Sequence, residues 1–165
     1  KDGWTSVMHT ARYIENPEML RMLIEVGADV NAQNESGATA LMLATYNKNP
    51  AVITVLIDAG SDAEARDKNG WTSLMYGARY NKNPEVITAL IDVGFDVEAR
   101  DEYGTTSLML AAQYNENPDM LVLLLDAGAD AKARNDEGKT AFDFAKENEQ
   151  IKDTKVYWIL NDARF

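Results

Sequence analysis

The prolines and glycines of this chain recur with a single period, which constrains the fold more than any other feature. Every proline follows an asparagine, and the spacings between prolines are 33, 34 and 34 residues. Nine of the ten glycines fall into two series with the same spacings of 33 or 34 residues. Self-similarity at this period is typical of stacked supersecondary units. It argues against a doubly wound or barrel enzyme.

Each unit contains two short helical patterns, which are clearest between residues 70 and 103. Apolar residues recur at helical spacing first over 74–78 and then over 86–91. Asn83 is placed to cap the second helix, because its side-chain oxygen can accept a free backbone N–H and Pro84 has none to satisfy. Gly94 is placed to end that helix, since glycine readily adopts the left-handed C′ conformation. The unit is therefore predicted to run turn, helix, turn, helix and extended return.

One such unit cannot bury both of its helices alone, so neighbouring units must stack into a continuous core. Of the 165 residues, 45% are apolar and 26% are charged, as in an ordinary folded chain. We therefore predict an all-α solenoid made of a single array, with units at about 1–34, 35–67, 68–101 and 102–135. Residues 136–165 are assigned as a C-terminal capping unit, because 146–153 are mostly polar, lack Asn-Pro and precede an apolar run with Phe165 at its end.

The start of each unit resembles the ankyrin repeat, which has this period and opens its first helix with Thr-Pro-Leu-His. The matching segments are Thr5-Ser-Val-Met8, Thr39-Ala-Leu-Met42, Thr72-Ser-Leu-Met75 and Thr106-Ser-Leu-Met109. The segment Val26-Gly-Ala-Asp-Val-Asn31 is similar to the family's Gly-Ala-Asp-Val-Asn. The resemblance covers nearly the whole chain. It implies helix–turn–helix units of 33–34 residues joined by β-turn or hairpin loops.

The chain departs from the family pattern in several ways. Ser or Ala replaces the family's Pro, Met replaces its His, and Asn-Pro replaces the Gly-His turn between the helices. Because the family's His hydrogen-bonds to the Thr, that network is expected to differ here. The unit that begins at Thr39 is also one residue shorter before its proline. Such variants resemble bacterial ankyrin proteins. The chain begins in mid-turn at Lys1, so we expect further repeats or another domain to precede it.

No combination of residues in the sequence points to catalysis, a metal or a cofactor. His9 is the single histidine, cysteine is absent, and neither a Gly-x-Ser-x-Gly elbow nor a phosphate-binding loop occurs. The carboxylates are many but dispersed, with no EF-hand ligand pattern. The net charge of −11 argues against nucleic acid and anionic membranes as partners, and the apolar runs are too short to span a bilayer. We expect no catalytic, metal-binding or cofactor-binding residues.

Two recurring side chains allow both a structural and a binding interpretation. One methionine per unit occupies the same helix position, where interior packing is favoured over an adaptable binding surface. One tyrosine per unit ends the first helix, a region that faces the concave groove in ankyrin arrays. The tyrosines could form an aromatic ladder touched by a partner, or each could pack against the Asn-Pro turn or the next unit. The residues are Met8, Met42, Met75 and Met109, and Tyr13, Tyr46, Tyr80 and Tyr114.

The resemblance also implies a contact surface. Trp4 and Trp71 follow turn glycines, where the family has variable finger-tip contact positions. A large aromatic side chain on an exposed hairpin is costly unless it packs or binds, and Trp and Arg are common interface anchors. Lys68, Asn69, Glu102 and Glu137 would form its polar rim. The predicted partner-binding residues are Trp4, Arg12, Tyr13, Lys68, Asn69, Trp71, Arg79, Tyr80, Tyr103, Gln113 and Tyr114.

The chain is therefore expected to be a monomeric, non-catalytic module that binds another protein through a rigid concave surface. A spacer within a larger chain, and capture of a peptide or small ligand in the groove, are the alternatives. Enzymatic activity is disfavoured, with the acids of the C-terminal half as its candidates. Residues 1–82 carry 10 acidic and 8 basic side chains (net −2), and residues 83–165 carry 17 and 8 (net −9). This asymmetry could steer a basic partner, but solubility is the favoured explanation.

Overall fold

The computed structural model describes residues 2–163, and in that range it contains ten α-helices and no strand. Lys1 and Phe165, on which two of the expectations above depend, lie outside the described residues. The all-α class is confirmed. The helices are α1 (Ser6–Tyr13), α2 (Pro17–Glu25), α3 (Ala40–Ala44), α4 (Ala51–Asp58), α5 (Ser73–Tyr80), α6 (Pro84–Ile91), α7 (Ser107–Tyr114), α8 (Pro118–Asp126), α9 (Ala141–Ala145) and α10 (Lys155–Asp162).

The helices stack in two parallel rows. The first helix of each pair packs on the first helix of the next pair, and the second helices stack in the same way. Loops between the pairs also join one another: Lys68 N–H donates to the Ser36 carbonyl at 3.0 Å, and Asp136 N–H to the Tyr103 carbonyl at 3.0 Å. The predicted solenoid is confirmed, whereas the limits of its units stay a prediction.

The core lies between the two rows and is continuous along the array. Its main cluster draws buried side chains from all ten helices, from Val7 in α1 to Leu160 in α10. The recurring methionines belong to this interior rather than to a binding surface, since each is at most 1% exposed. They are Met8, Met42, Met75 and Met109.

A threonine caps the first helix of each unit, and methionine completes some of these caps. The Thr39 hydroxyl oxygen accepts from Met42 N–H at 3.3 Å, and Met42 Sδ accepts from Thr39 N–H at 3.4 Å. Thr5 and Met8 repeat this reciprocal pair. The sulfur thus supplies the acceptor that a capping box requires. This is how the altered Thr network predicted from the sequence is arranged in these two units.

The second helices begin as the Asn-Pro pattern predicts. Asn83 Oδ1 accepts from Glu85 N–H at 3.1 Å, and Pro84 occupies the first turn. Asn16 and Asn117 make equivalent side-chain caps. Asn49 Oδ1 accepts from Ala51 N–H in the same way, although α4 begins at Ala51 and Pro50 is its N-cap residue. After each of these helices the chain turns through a glycine with φ between +84° and +98°, which side chains disfavour. These glycines are Gly27, Gly60, Gly94 and Gly128.

The short second unit changes the place of its tyrosine. Helix α3 has five residues, whereas α1, α5 and α7 have eight. Tyr13, Tyr80 and Tyr114 are the last residues of their helices, as predicted. Tyr46 instead lies two residues beyond α3, so for this unit the prediction is wrong, because the missing residue shortens the helix.

Candidate functional site

Aromatic side chains line one side of the first-helix row, and those of the second and third units contact each other. We call these eight residues the aromatic row: Trp4, His9, Tyr13, Tyr46, Trp71, Tyr76, Tyr80 and Tyr114. The ring centroids of Tyr46 and Tyr80 lie 5.0 Å apart at an angle of 28°, and Trp71 meets Tyr76 edge-on at 5.2 Å. Such aromatic contacts stabilise the surface beyond the area that they bury.

The row contains two clusters with the same order of residues, 67 positions apart. The N-terminal cluster consists of Trp4, His9, Arg12 and Tyr13, and the central cluster of Trp71, Tyr76, Arg79 and Tyr80. In each, the arginine reaches the tyrosine of the next unit, with its guanidinium carbon 4.2 Å from the Tyr46 ring centroid or 3.8 Å from that of Tyr114. These are cation–π distances.

The sequence interpretation missed His9 and Tyr76 as members of these clusters. Each lies four residues before the helix-ending tyrosine, and positions four apart share a helix face. The ring of His9 lies 6.3 Å from that of Tyr13, and the ring of Tyr76 lies 6.2 Å from that of Tyr80. This spacing could have identified them.

Trp71 is less exposed than the finger-tip interpretation requires. Its ring is half-buried against Met75, Ala99 and Leu110, and its indole N–H donates to Asp101 Oδ2 at 3.1 Å. Trp4 is likewise half-buried and packs against the core. The sequence required that these side chains either pack or bind, and in the structure each packs against apolar neighbours. One face of each tryptophan therefore serves the fold.

The four recurring tyrosines divide between the two interpretations. Tyr46 is half-buried between Arg12 and Tyr80, as packing against the next unit predicts. The side chains of Tyr13, Tyr80 and Tyr114 are 63%, 44% and 44% exposed, and they leave ring surface for a partner.

Two phenols in the row are held neutral by their surroundings. Burial, together with the nearby Tyr80, raises the pKa of Tyr46 to about 12. Burial also raises the pKa of Tyr76, and the hydrogen bond that its hydroxyl donates to Asp67 Oδ2 at 2.7 Å adds to this effect. Because the phenolate of Tyr46 forms only at strongly alkaline pH, the positive charge of Arg12 faces a neutral Tyr46 ring.

A groove of about 400 Å³ lies beside the central cluster and extends over the next two units. Six of the predicted contact residues line it: Asn69, Trp71, Arg79, Tyr103, Gln113 and Tyr114. Glu137 and Lys139 close one side as an ion pair of 2.8 Å, and Glu137 raises the pKa of that lysine.

The other predicted contact residues lie outside this groove. Trp4 and Tyr13 line a separate depression of about 320 Å³ with Asp2 and His9. Arg12 lies between Trp4 and Tyr46, and Tyr80 lines a third depression with Tyr46 and Lys82. Lys68 is exposed on a loop, and Glu102 beyond it is also exposed. The predicted surface is therefore a row of three adjoining depressions rather than one pocket.

The described residues offer contact chemistry along this row. Within residues 2–163, no group of three or more His, Asp or Glu side chains is placed to hold a metal ion. No helix in the same range is long and apolar enough to cross a membrane. What the row presents are aromatic faces, two guanidinium groups, and a rim of amides and carboxylates.

Comparison with known proteins identifies the repeat. A family model described as ankyrin repeats in three copies matches residues 7–101, 41–135 and 74–160, which together cover most of the chain. No curated protein matches the chain.

Proposed function

The chain belongs to the ankyrin-repeat family, and from this premise we propose that it binds another protein through the aromatic row and its groove. Ankyrin repeats are generally protein-interaction modules and are generally not enzymes. The partner would lie across the first helices and the loop tips. The chain would act as a monomer that offers one continuous surface.

The observation that carries the proposal is the exposure of aromatic rings around a single groove. Tyr103 is 67% exposed and Tyr114 is 44% exposed, and both line the groove beside Arg79. Clustered exposed aromatic side chains beside arginine are the composition of an interface core. The Glu137–Lys139 pair at the edge supplies the polar rim that usually surrounds such a core.

The scaffold would keep the entropic cost of binding low. The rings contact each other and the arginines, and backbone hydrogen bonds tie successive loops together. A surface that is already ordered loses little conformational entropy when a partner binds. The same rigidity would fix the spacing between contact points along the array.

Affinity capture from an extract of the source cells tests the proposal. The bait is the full chain, compared with a Tyr103→Ala/Tyr114→Ala variant that removes exposed rings without touching the packed Trp71. The matched control is Met19→Ala/Met22→Ala, because these side chains are 49% and 61% exposed on α2, in the second-helix row. Circular dichroism verifies that all three remain folded.

We expect a protein that is retained by the native chain and by the methionine control but is lost by the tyrosine variant. Direct titration with that purified protein should show at least a tenfold weaker affinity for the tyrosine variant, as truncated interface anchors usually produce. Equal capture by all three chains would move the contact surface elsewhere. Capture by none would favour the spacer interpretation.

A further inference from the structure

Two arginines differ from all the others that the structure describes. Within residues 2–163, Arg21 pairs with Glu18, and Arg66, Arg100 and Arg134 each donate to backbone carbonyls. Arg12 and Arg79 form neither a hydrogen bond nor an ion pair within that range, although both are half-buried. The other four described arginines each have an oxygen acceptor, so the surroundings of these two are informative.

Aromatic rings surround both guanidinium groups. The guanidinium carbon of Arg79 lies 5.3 Å from the Trp71 ring centroid, 5.0 Å from that of Tyr80 and 3.8 Å from that of Tyr114. Arg12 has the same environment, with Trp4 at 5.8 Å, Tyr13 at 5.4 Å and Tyr46 at 4.2 Å. Rings attract the positive charge, but they cannot satisfy five in-plane N–H donors. Each cluster thus holds a guanidinium in place with its donors unused.

We propose that Arg12 and Arg79 receive two carboxylate side chains from one extended acidic segment of the protein partner, an inference that rests on the proposed function. A carboxylate matches the planar fork of a guanidinium and can accept two parallel hydrogen bonds. Because the rings fix the guanidinium before the partner arrives, little side-chain entropy is lost on pairing. The duplicated clusters are then two equal contact points for one ligand.

The spacing of the clusters specifies the segment. The guanidinium carbon of Arg12 lies 4.2 Å from the Tyr46 ring centroid, that centroid lies 5.0 Å from the Tyr80 centroid, and the guanidinium carbon of Arg79 lies 5.0 Å from the Tyr80 centroid. The two guanidinium groups are therefore at most about 14 Å apart. An extended chain advances about 3.3 Å per residue. The partner segment should therefore carry Asp or Glu side chains about four residues apart. Two linked contacts bind more tightly than either alone, because the second becomes intramolecular.

The net charge of −11 opposes an acidic ligand at long range and makes the inference sharply testable. Exposed charges more than about 8 Å away are largely screened at physiological salt. The acids nearest the central cluster are already engaged: Asp101 with the Trp71 indole, Asp67 with Tyr76, and Glu137 with Lys139. Attraction by net charge alone would select a basic ligand, and pairing at the two arginines selects an acidic one.

Titration of the full chain with labelled 12-residue oligo-glutamate, oligo-lysine and oligo-glutamine discriminates between these outcomes. Fluorescence anisotropy at about 0.15 M salt reports the affinity, and the arginine Nε–Hε signals in NMR spectra report the location. We expect oligo-glutamate to bind and to shift the Arg12 and Arg79 signals. The variant Arg12→Gln/Arg79→Gln should bind it at least tenfold more weakly, and Arg12→Lys/Arg79→Lys should also weaken it, since lysine lacks the planar fork.

The control Arg21→Gln/Lys155→Gln removes the same two charges at exposed positions and should keep the affinity within twofold. Among peptides with two glutamates in a glutamine background, a spacing of four should bind at least fivefold more tightly than a spacing of one, because adjacent glutamates cannot reach both arginines. Preference for oligo-lysine, absence of oligo-glutamate binding, or unchanged binding by Arg12→Gln/Arg79→Gln would overturn the inference. A partner lost by Tyr103→Ala/Tyr114→Ala but retained by that arginine variant would leave the proposed function standing without it.

Discussion

Three units have serine at a helix position at which the other two have alanine, and in two of those three the serine is buried. Ser73 and Ser107 directly follow the capping threonines and are at most 1% exposed, and among the described residues their hydroxyls have no hydrogen-bond partner. Ala40 and Ala141 fill the equivalent places in the second and last units. In the structure the threonines make the caps, and the serine hydroxyls are buried unpaired.

We predict that Ser73→Ala and Ser107→Ala each raise the free energy of unfolding by about 0.5–1 kcal/mol. Burial of an unpaired hydroxyl costs roughly 1–3 kcal/mol, and alanine removes that cost but leaves a small void. Urea denaturation followed by circular dichroism measures the change. Thr72→Ala provides the contrast, because loss of a cap should lower stability by about 1 kcal/mol. Destabilisation by Ser73→Ala would mean that its hydroxyl is hydrogen-bonded after all.

Individual residues of the candidate site could be predicted only where they recur with the period of the repeat. The repeated Trp, Arg and Tyr of the two clusters stand out because they recur 67 positions apart. The half-burial of Trp71 could not be predicted in the same way, since it depends on Asp101, thirty residues later in the chain. Exposure is set by neighbours that a helical pattern does not identify.

Between neighbouring helix pairs, buried asparagines link one turn to the next. Asn81 Nδ2 donates to the Thr45 carbonyl at 2.6 Å and to the Asn47 carbonyl at 2.9 Å, and its Oδ1 accepts from Asn83 N–H at 2.7 Å. Asn47, Asn115 and Asn148 make the same three contacts in their own units. These side chains join every first helix from α1 to α9 to its neighbour.

Asn81→Ala is expected to lower the free energy of unfolding by about 3 kcal/mol. The substitution leaves two buried carbonyls and one N–H without their partner, and each such loss costs about 1–3 kcal/mol before relaxation. Asn83→Ala is the matched comparison, because this half-exposed residue caps α6 and its one bond to the preceding unit, to the Lys48 carbonyl at 3.3 Å, is exposed to solvent. Its loss should cost about 1 kcal/mol. Urea titration of both variants at equal protein concentration measures the difference. Equal losses would show that solvent replaces the buried contacts of Asn81.

The sequence predicted one asparagine of each Asn-x-Asn-Pro segment and not the other. Asn83 was recognised because capping is a local interaction with a residue two positions away. Asn81 was not assigned, because its partners lie 34 and 36 residues earlier. The recurrence of asparagine at the equivalent positions, Asn115 and Asn148, could have identified it. A polar residue repeated at the unit period beside a helix end predicts a bond between units.

At the scale of the whole molecule, the fold was predictable because a solenoid is nearly one-dimensional. The period, the helical patterns and the caps each involve only one unit or its direct neighbour. Together they determine how the units stack. The groove is different, since its lining comes from Asn69, Tyr114 and Lys139, each in a different predicted unit. Its shape depends on how three units are offset. The contact residues could therefore be predicted singly, whereas their division among three depressions could not.

The three tryptophans report on separate parts of this array, which allows its cooperativity to be measured. Trp4 precedes α1, Trp71 precedes α5, and Trp158 lies in α10. Stability in a solenoid is approximately a sum of unit and interface contributions, so the chain unfolds in one step only while every interface is strong. In a chain that retains Trp4 alone, through Trp71→Phe and Trp158→Phe, fluorescence follows the N-terminal end. A chain that retains Trp158 alone follows the other end.

We predict that these two reporters give coincident urea transitions in the native background and separate transitions when Asn81→Ala is added. The substitution weakens the interface between α3 and α5, so the units on either side no longer stabilise each other enough to unfold together. Thr72→Ala is expected to shift both transitions equally, because the hydroxyl of Thr72 caps α5 through Met75 N–H, within one unit. If both reporters still coincide with Asn81→Ala, packing between the stacked helices alone is sufficient to couple the array, and the asparagines contribute stability without cooperativity.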